Sequence, residues 1–389
     1  MNTPTKQNES TRVGESVRVL EVDLKTGVGS LVAFRSDWRE LEQVASWGGS
    51  ALAWALQVDA LRSGREAVFV LAVGAAVRRG VPTAARVTVC GRGAHTGRIA
   101  EGAVGGSLGR RLAKVADALV LRGRSPELGH SREAGPSSGP GRVLVVGGQG
   151  EVRWEAGLGA ASVAEALERL AEVHPDAASL AVGPAAVRGV SFANLAVGAA
   201  PPSFVGRGGL GATLAGLGVE AIVVEVGEVE PDASAREWVE LLADSPRLRE
   251  RAAGGSMERA HEASLGEDAD GRALGSALAE VGGAAGVGVR GCAGCPTPCG
   301  WVFETSGGGR TAGRFNALDS LGRALGLERP AEALEILAAC DRVGVDAKEV
   351  GAALEVWARG RALGLCEDGP RMGVVEDYTR AIADLGRGA

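Results

Sequence analysis

A chain of 389 residues can form two or three domains with sizeable cores, and 45% hydrophobic against 23% charged residues is the balance of a globular protein. A formal charge of -6 argues against intrinsic affinity for nucleic acid or an anionic membrane, and apolar runs such as 67–74 and 221–224 are far too short to span a bilayer. The polar N-terminus, MNTPTKQNESTR, has no apolar signal core, and the cysteine usage described below suits a reducing cytoplasm.

In chain order, residues 1–15 read as a disordered tail. Alternation in Val17–Asp23 (VRVLEVD) predicts a strand, and Lys25-Thr26-Gly27 supplies a turn. Residues 124–141 (RSPELGHSREAGPSSGPG) are rich in Pro, Ser and Gly and read as a flexible solvent loop, after which Arg142–Gly147 (RVLVVG) resumes a sheet. The segments on either side of that loop echo each other. Residues 106–113 read GSLGRRLA and residues 208–215 read GGLGATLA. Each is followed by an acid-Ala-apolar strand, beginning at Asp117 and at Glu220. Shared residues in register, followed by the same kind of strand, indicate an internal duplication and one β-rich domain of approximate two-fold symmetry over 16–226.

Beyond 226 the texture becomes helical. A helix is expected over 331–343, opened by Pro330, with Leu334, Leu337 and Ala338 on one face and Gly344 as its terminator. Asp346 and Glu349 then have capping-box spacing, ahead of a stripe of Val350, Ala353, Leu354 and Trp357. The fold class expected is therefore α+β, a duplicated β-rich N-terminal domain followed by a mainly helical domain over 227–389 that carries a cysteine loop.

That loop is the strongest chemical signal. Of six cysteines, Cys292, Cys295 and Cys299 crowd into GCAGCPTPCG, where small residues let the backbone fold around a compact centre. Iron-sulfur clusters are held by closely spaced thiolates plus one from elsewhere. A structural zinc is the rival reading, although no second ligand pair lies nearby, and plain buried cysteines are the third. The second signal is GRGGLGA over 206–212, whose glycines expose backbone N–H groups and whose Arg207 adds an anion donor. Its spacing is neither that of a P-loop nor that of a dinucleotide fingerprint, and a tight sheet-to-helix turn explains the glycines equally well. The third is CDRVGVD over 340–346: Asp341 falls near a helix C-terminus, against the dipole, where a carboxylate calls for a donor partner. Asp346 is accounted for by its cap alone. The four histidines, His95, His130, His174 and His261, have no ligand spacing and read as surface or loop residues.

Together these stretches resemble the aldehyde:ferredoxin oxidoreductases, tungsten-pterin enzymes. The cysteine loop with the strand WVFE, GRGGLGA before an apolar strand, FNALDSLG over 315–322, CDRVGVD, VLEVDLKTG over 19–27 and PTAARVTV over 82–89 with Gly105-Gly106 occur in the family's order, across most of 17–385. The resemblance implies a β-rich base for a tungsten or molybdenum bis-pterin, helical domains over it, and a four-iron (4Fe-4S) cluster beside one pterin. Its members oxidise aldehydes or related carbonyl compounds and pass electrons to a ferredoxin-like carrier. Carried over by position, Arg86, Gly105, Gly106, Arg207, Gly208 and Gly209 face pterin phosphates and ring edges, and Asp341 and Asp346 accept hydrogen bonds from pterin N–H groups. Cys292, Cys295 and Cys299 are the cluster ligands.

The sequence also departs from the family. Asn316 stands where a glutamate is usual, Ala103-Val104 where an Asn-Ser pair is expected, Ser203 where an arginine is common and Glu220 where a lysine is expected. The family's last third, with a fourth cluster cysteine, has no counterpart in these residues, and Cys366 falls in an earlier loop. The leading expectation is an oxidoreductase subunit, truncated or completed by a second subunit that supplies the last third, with a homo-oligomer as a separate expected assembly. The alternative is a non-catalytic descendant that serves as a scaffold.

Overall fold

The computed structural model describes residues 16–45, 47–124, 141–199, 201–254, 286–292, 295–305, 309–313, 315–327 and 329–388. The expected tail and the body of the expected loop over 124–141 lie outside these residues.

The first half of the β-rich region runs β1 (Arg18–Asp23), β2 (Val28–Ala33), α1 (Arg39–Ala45), α2 (Gly49–Arg62), β3 (Phe69–Ala72), α3 (Ala75–Arg78), β4 (Val87–Arg92), β5 (Ile99–Val104), α4 (Leu108–Val115) and β6 (Ala118–Arg122). The second half runs β7 (Arg142–Val146), β8 (Val152–Ala156), α5 (Val163–Val173), β9 (Ala178–Val182), α6 (Pro184–Val187), β10 (Leu195–Val197), β11 (Ser203–Val205), α7 (Leu210–Gly216) and β12 (Val219–Val224). Each half makes a six-stranded sheet, ordered β2-β1-β6-β3-β4-β5 and β8-β7-β12-β9-β10-β11. Position by position the two orders are the same. In both, the first and last strands of the half pair in parallel, β1 with β6 and β7 with β12.

The duplication extends to individual hydrogen bonds. Asp117 Oδ2 accepts the Arg18 N–H at 2.7 Å at the mouth of β1, and Glu220 Oε1 accepts the Gly141 N–H at 3.1 Å just before β7. Glu220 also takes the Leu158 N–H at 2.6 Å, closing the loop after β8. A lysine at 220 would leave those donors unmatched, and unmatched buried donors cost about 1–3 kcal/mol each. The stretches that contain α3 and α6, GAAVRRG over 74–80 and GPAAVRG over 183–189, repeat as well.

Period-two alternation decides which side chains meet. Leu20, Val22, Leu119 and Leu121 of one sheet share a core with Leu144, Val146, Ile222 and Val224 of the other, together with Leu108 and Leu112 of α4 and Leu210 and Leu214 of α7. The alternate residues point outward: Val70 and Val120 pack with Leu52 and Leu56 of α2, and Val143 and Val223 pack with Leu167 and Leu170 of α5. Central strands buried on both faces read as unbroken apolar runs, as AIVV over 221–224 of β12 does. Truncating an inner residue such as Leu119 to Ala costs about 2–5 kcal/mol.

The second region contains α8 (Ala233–Ala243), α9 (Pro246–Gly254), a three-stranded antiparallel sheet of β13 (Gly286–Arg290), β14 (Gly300–Glu304) and β15 (Arg310–Gly313), then α10 (Phe315–Ala324), α11 (Pro330–Val343), α12 (Ala347–Ala362) and α13 (Val375–Arg387). Gly344 ends α11 at φ 79, the left-handed conformation that favours glycine. Asp346 caps α12, its Oδ1 accepting from Lys348 and Glu349 at 3.1 and 3.0 Å. The expected reciprocal arm of the capping box does not close on Asp346. The Asp346 N–H goes to the Phe192 carbonyl instead, and Glu349 turns to Arg207. The buried face of α12 is Val350, Gly351, Leu354 and Ala358, rotated from the expected stripe, because α10 comes in over Gly351. Ala353 is exposed, and Trp357 lies over the loop at Gly369.

The turn between α11 and α12 docks on the second sheet. Ala193 and Val345 form a β-bridge, the Asn194 N–H reaches the Gly344 carbonyl at 2.9 Å, and a Cβ at Gly183 would lie 2.4 Å from the Val343 carbonyl oxygen. This docking brings the C-terminal end of α11 and the start of α12 to the GRGG turn and the cysteine loop.

Candidate cofactor cavity

A cavity of about 380 Å³ opens where four segments meet: Gly105-Gly106 at the end of β5, residues 202–207, the strand end and cysteine loop around Arg290–Cys292, and the α11–α12 turn. Its size is in the range of ligand sites. Ala312, Ala317, Leu337 and Val345 supply apolar wall, and the polar groups are few.

On one side, Gly106 (φ 116) donates its N–H to Cys292 Sγ at 3.1 Å, and a Cβ at Gly105 would lie 2.5 Å from that sulfur. Glycine is needed here because the cysteine loop lies directly on the backbone. On the facing side, a Cβ at Gly206 would lie 2.2 Å from Asp346 Oδ2. Arg207 is a non-glycine residue at φ 72, a conformation costing on the order of 1–3 kcal/mol. Its N–H donates to Asp346 Oδ2 at 3.2 Å, and its guanidinium binds Glu349 at 3.1 Å on the rim. Gly208 and Gly209 do not line the cavity. Both have φ 71, and they are packed beneath it, Gly208 on Ala100 and Gly209 so close to the Ser191 carbonyl oxygen that a Cβ would overlap it. Arg86 is exposed and does not line the cavity either.

Asp341 lines the cavity and is partly buried, with Thr311 Oγ1 donating to its Oδ2 at 2.6 Å. Burial pushes its carboxyl up to about 7, and the threonine hydrogen bond opposes that rise. Two further groups were not singled out by the sequence reading. Asn194, buried, donates Nδ2 to the Val345 carbonyl at 2.9 Å, while its Oδ1 is buried without a partner. Arg290, the last residue of β13, has a buried Nη1 without a partner, and its Nη2 reaches only the Ala199 carbonyl at 3.4 Å. Burial lowers the Arg290 pKa, and the neighbouring Cys292 raises it. The available signals were small: a lone arginine two residues before the first loop cysteine, and one amide in the apolar run FANLAV.

All six cysteines are free thiols. Cys292 and Cys299 line the cavity, whereas Cys295 Sγ sits 3.5 Å from the Thr297 oxygens. Among the described residues, no group of three or more His, Cys, Asp and Glu side chains is arranged to hold a metal ion. Cys366 lies against the Trp357 carbonyl at 3.8 Å and does not line the cavity. The side chain of Asn316 lies outside the described residues. His174 is not the surface residue expected: it is buried, with Nδ1 2.7 Å from Glu225 and Nε2 3.1 Å from Glu155, and Arg153 completes the cluster. His95 is exposed near Ser191 and Glu349. His130 and His261 lie outside the described residues.

The donor set suits a pterin-type group. It offers the acceptors Asn194 Oδ1, Asp341 and Asp346 for ring N–H groups, an unmatched Arg290 donor for an oxyanion, and glycine edges on which a flat ring system can lie. Cys292 and Cys299 face the cavity, and among the described residues the three thiols are not gathered around one point.

Comparison with known proteins places the fold in a family. The family described as "Aldehyde ferredoxin oxidoreductase, N-terminal domain" matches residues 19–226, more than half of the chain. The chain belongs to the aldehyde ferredoxin oxidoreductase family. A solved structure, "Active site complex BamBC of Benzoyl Coenzyme A reductase in complex with 1,5 Dienoyl-CoA", contains a chain of the same fold, with a TM-score of 0.75 at 19% identity. The alignment covers 96% of this chain and 61% of that one. No curated protein matches. No helix among the described residues is long and apolar enough to cross a membrane.

Proposed function

We propose that this chain is an oxidoreductase subunit that holds a tungsten- or molybdenum-pterin in the cavity and an iron-sulfur cluster on Cys292, Cys295 and Cys299. Its reaction is the oxidation of an aldehyde or related carbonyl compound, with electrons passed to a ferredoxin-like carrier. The observation that carries the reading is convergence: Gly105-Gly106, Gly206-Arg207, Cys292, Cys299, Asp341 and Asp346, far apart in sequence, line one cavity. The spacing of the cysteines supports the cluster.

When bound, the metal-pterin group supplies the two-electron chemistry in which aldehyde and water become acid, two protons and two electrons. The chain's own residues do the rest. Gly105-Gly106 and the Arg207 turn present backbone and cationic edges, with Asp346 fixing Arg207 from below. Asp341 accepts ring N–H groups, and with its carboxyl near 7 it can hold a proton at Oδ1 or Oδ2 at neutral pH. Leu337, Val345, Ala312 and Ala317 exclude water from that wall, which strengthens each polar contact. Of the other carried-over positions, Gly208 and Gly209 act through packing, and Arg86 would meet the cofactor only from outside the cavity lining.

Asn316, in place of the family's glutamate, favours a second reading: a degenerate member that keeps the fold and serves as a scaffold. Acid-base assistance is worth about 10²–10⁴ in rate. The oxidoreductase reading calls for a second subunit that supplies the missing group, and six free cysteines suit a reducing cytoplasm. The test is viologen reduction with a panel of aldehydes, using the anaerobically purified chain alone and with any co-purifying protein. Turnover that appears with the partner supports the subunit reading. No turnover in either preparation, with pterin present, favours the scaffold.

A further inference from the structure

We propose that Arg290 is an oxyanion anchor of the cavity, its free Nη1–H taking a phosphate-class group of the bound ligand. This deepens the pterin reading and rests on it for the identity of that ligand.

Arg290 differs from the other buried arginines. Arg122 also has a buried Nε without a hydrogen bond but is neutralised by Glu21 at 2.6 Å, and Arg111, with the same feature, donates to the Asp176 and Val226 carbonyls away from the cavity. Among the described residues, Arg290 has no ion pair and only a long contact to a carbonyl. A half-buried guanidinium with an unmatched N–H is costly unless an anion arrives. The group lines the cavity, at the end of a strand anchored by four register pairs between β13 and β14, so its position is set before any ligand binds. The other nearby cation, Arg207, is already engaged by Glu349 and is more than half exposed. Asn194 Oδ1, the buried acceptor without a partner on the same cavity, would take an N–H of the same ligand. An oxyanion for Arg290 and an N–H for Asn194 describe a phosphorylated nitrogen heterocycle. The phosphate could belong to a cofactor or to a substrate, and the experiment separates the two.

Pyrophosphate is titrated by calorimetry into the purified chain, freed of bound small molecules, for wild type, R290Q, R290K and R380Q, the last an exposed arginine away from the cavity. Loss of one charge-assisted hydrogen bond predicts at least a tenfold weaker affinity in R290Q, with R290K between R290Q and wild type and R380Q close to wild type. Wild-type affinity in a folded R290Q overturns the proposal. So does an R290Q effect confined to Cys292 thiol reactivity, which would assign the guanidinium to that sulfur. If R290Q does not fold, protection of Arg290 from phenylglyoxal by pyrophosphate in the wild type decides the question by mass spectrometry, and no protection overturns the anchor. Pterin and phosphorus content of the chains as purified identifies the source. A lower pterin content in R290Q assigns the phosphate to the cofactor, and unchanged content with weaker pyrophosphate binding assigns it to a substrate. A chain without pterin whose pyrophosphate binding depends on Arg290 leaves the anchor standing and removes the functional reading. A pterin-loaded chain whose pterin retention and pyrophosphate binding are both indifferent to R290Q does the reverse.

Discussion

Replacing Asp341 by Asn tests the electrostatics of the cavity in the ligand-free chain. Burial moves the Asp341 carboxyl from its ordinary 3.8 to about 7. Between those values the folded chain holds a proton that the unfolded chain has released. Stability therefore falls as pH rises through that window and levels off above about 7. The slope is about 1.4 kcal/mol per pH unit for one proton and flattens as the group titrates near 7, so from pH 5 to pH 7 the wild type should lose about 2 kcal/mol from this group. D341N keeps the shape and an oxygen for the Thr311 hydroxyl, 2.6 Å away in the wild type, but carries no charge. Urea unfolding at pH 5, 6, 7 and 8 should show the two proteins close together at pH 5, with D341N more stable by about 2 kcal/mol at pH 7 and little further change at pH 8. T311V removes the donor that favours the charged form and should extend the slope above pH 7. Parallel pH profiles for wild type and D341N would refute the reasoning, because they would mean the carboxylate is solvated despite its surroundings.

G206A should lower stability by about 1–3 kcal/mol through the collision of its Cβ with Asp346, and much of that cost should vanish in a D346A background, as a double-mutant cycle would read. G209A meets the Ser191 backbone and a left-handed φ, so it should destabilise more than G206A with no rescue from D346A in the same unfolding assay. Hydrogen bonds from Arg153, then from His174, hold the Glu225 carboxyl down at about 2 against its ordinary 4.5. E225Q should therefore cost stability above pH 5, on the order of 1–2 kcal/mol for so accessible a group, and its difference from wild type should disappear as pH falls toward 2. A difference at pH 2.5 as large as that at pH 6 would count against the ion-pair cluster.

The duplication was legible because the two halves repeat residues with obligatory roles, the Gly-Leu-Gly-Leu-Ala helix starts and the acids at 117 and 220 that tie down the strand mouths. The cap at Asp346 and the terminator at Gly344 were legible for the same reason, since backbone chemistry dictates their residue types. Hidden from sequence were properties created by tertiary docking. The α11–α12 turn takes the Asp346 N–H for the second sheet and hands Glu349 to Arg207, and this dismantles the reciprocal cap. GRGG likewise divides its work. Gly206 and Arg207 face the cavity while Gly208 and Gly209 serve packing, a distinction that depends on Ala100 and Ser191 arriving from elsewhere. His174 looked like a loop residue because its partners, Glu155 and Glu225, come from two different strand ends.

The central claim is that one cavity holds a metal-pterin beside an iron-sulfur cysteine loop, and elemental and pterin analysis of the anaerobically purified chain tests it most directly. The account predicts tungsten or molybdenum with organic pterin, and iron with acid-labile sulfide whose visible absorbance is lost in C295S and kept in C90S, since Cys90 is a core thiol pushed up to about 12 by burial. Near-stoichiometric zinc with no iron, no pterin and no visible absorbance would contradict it.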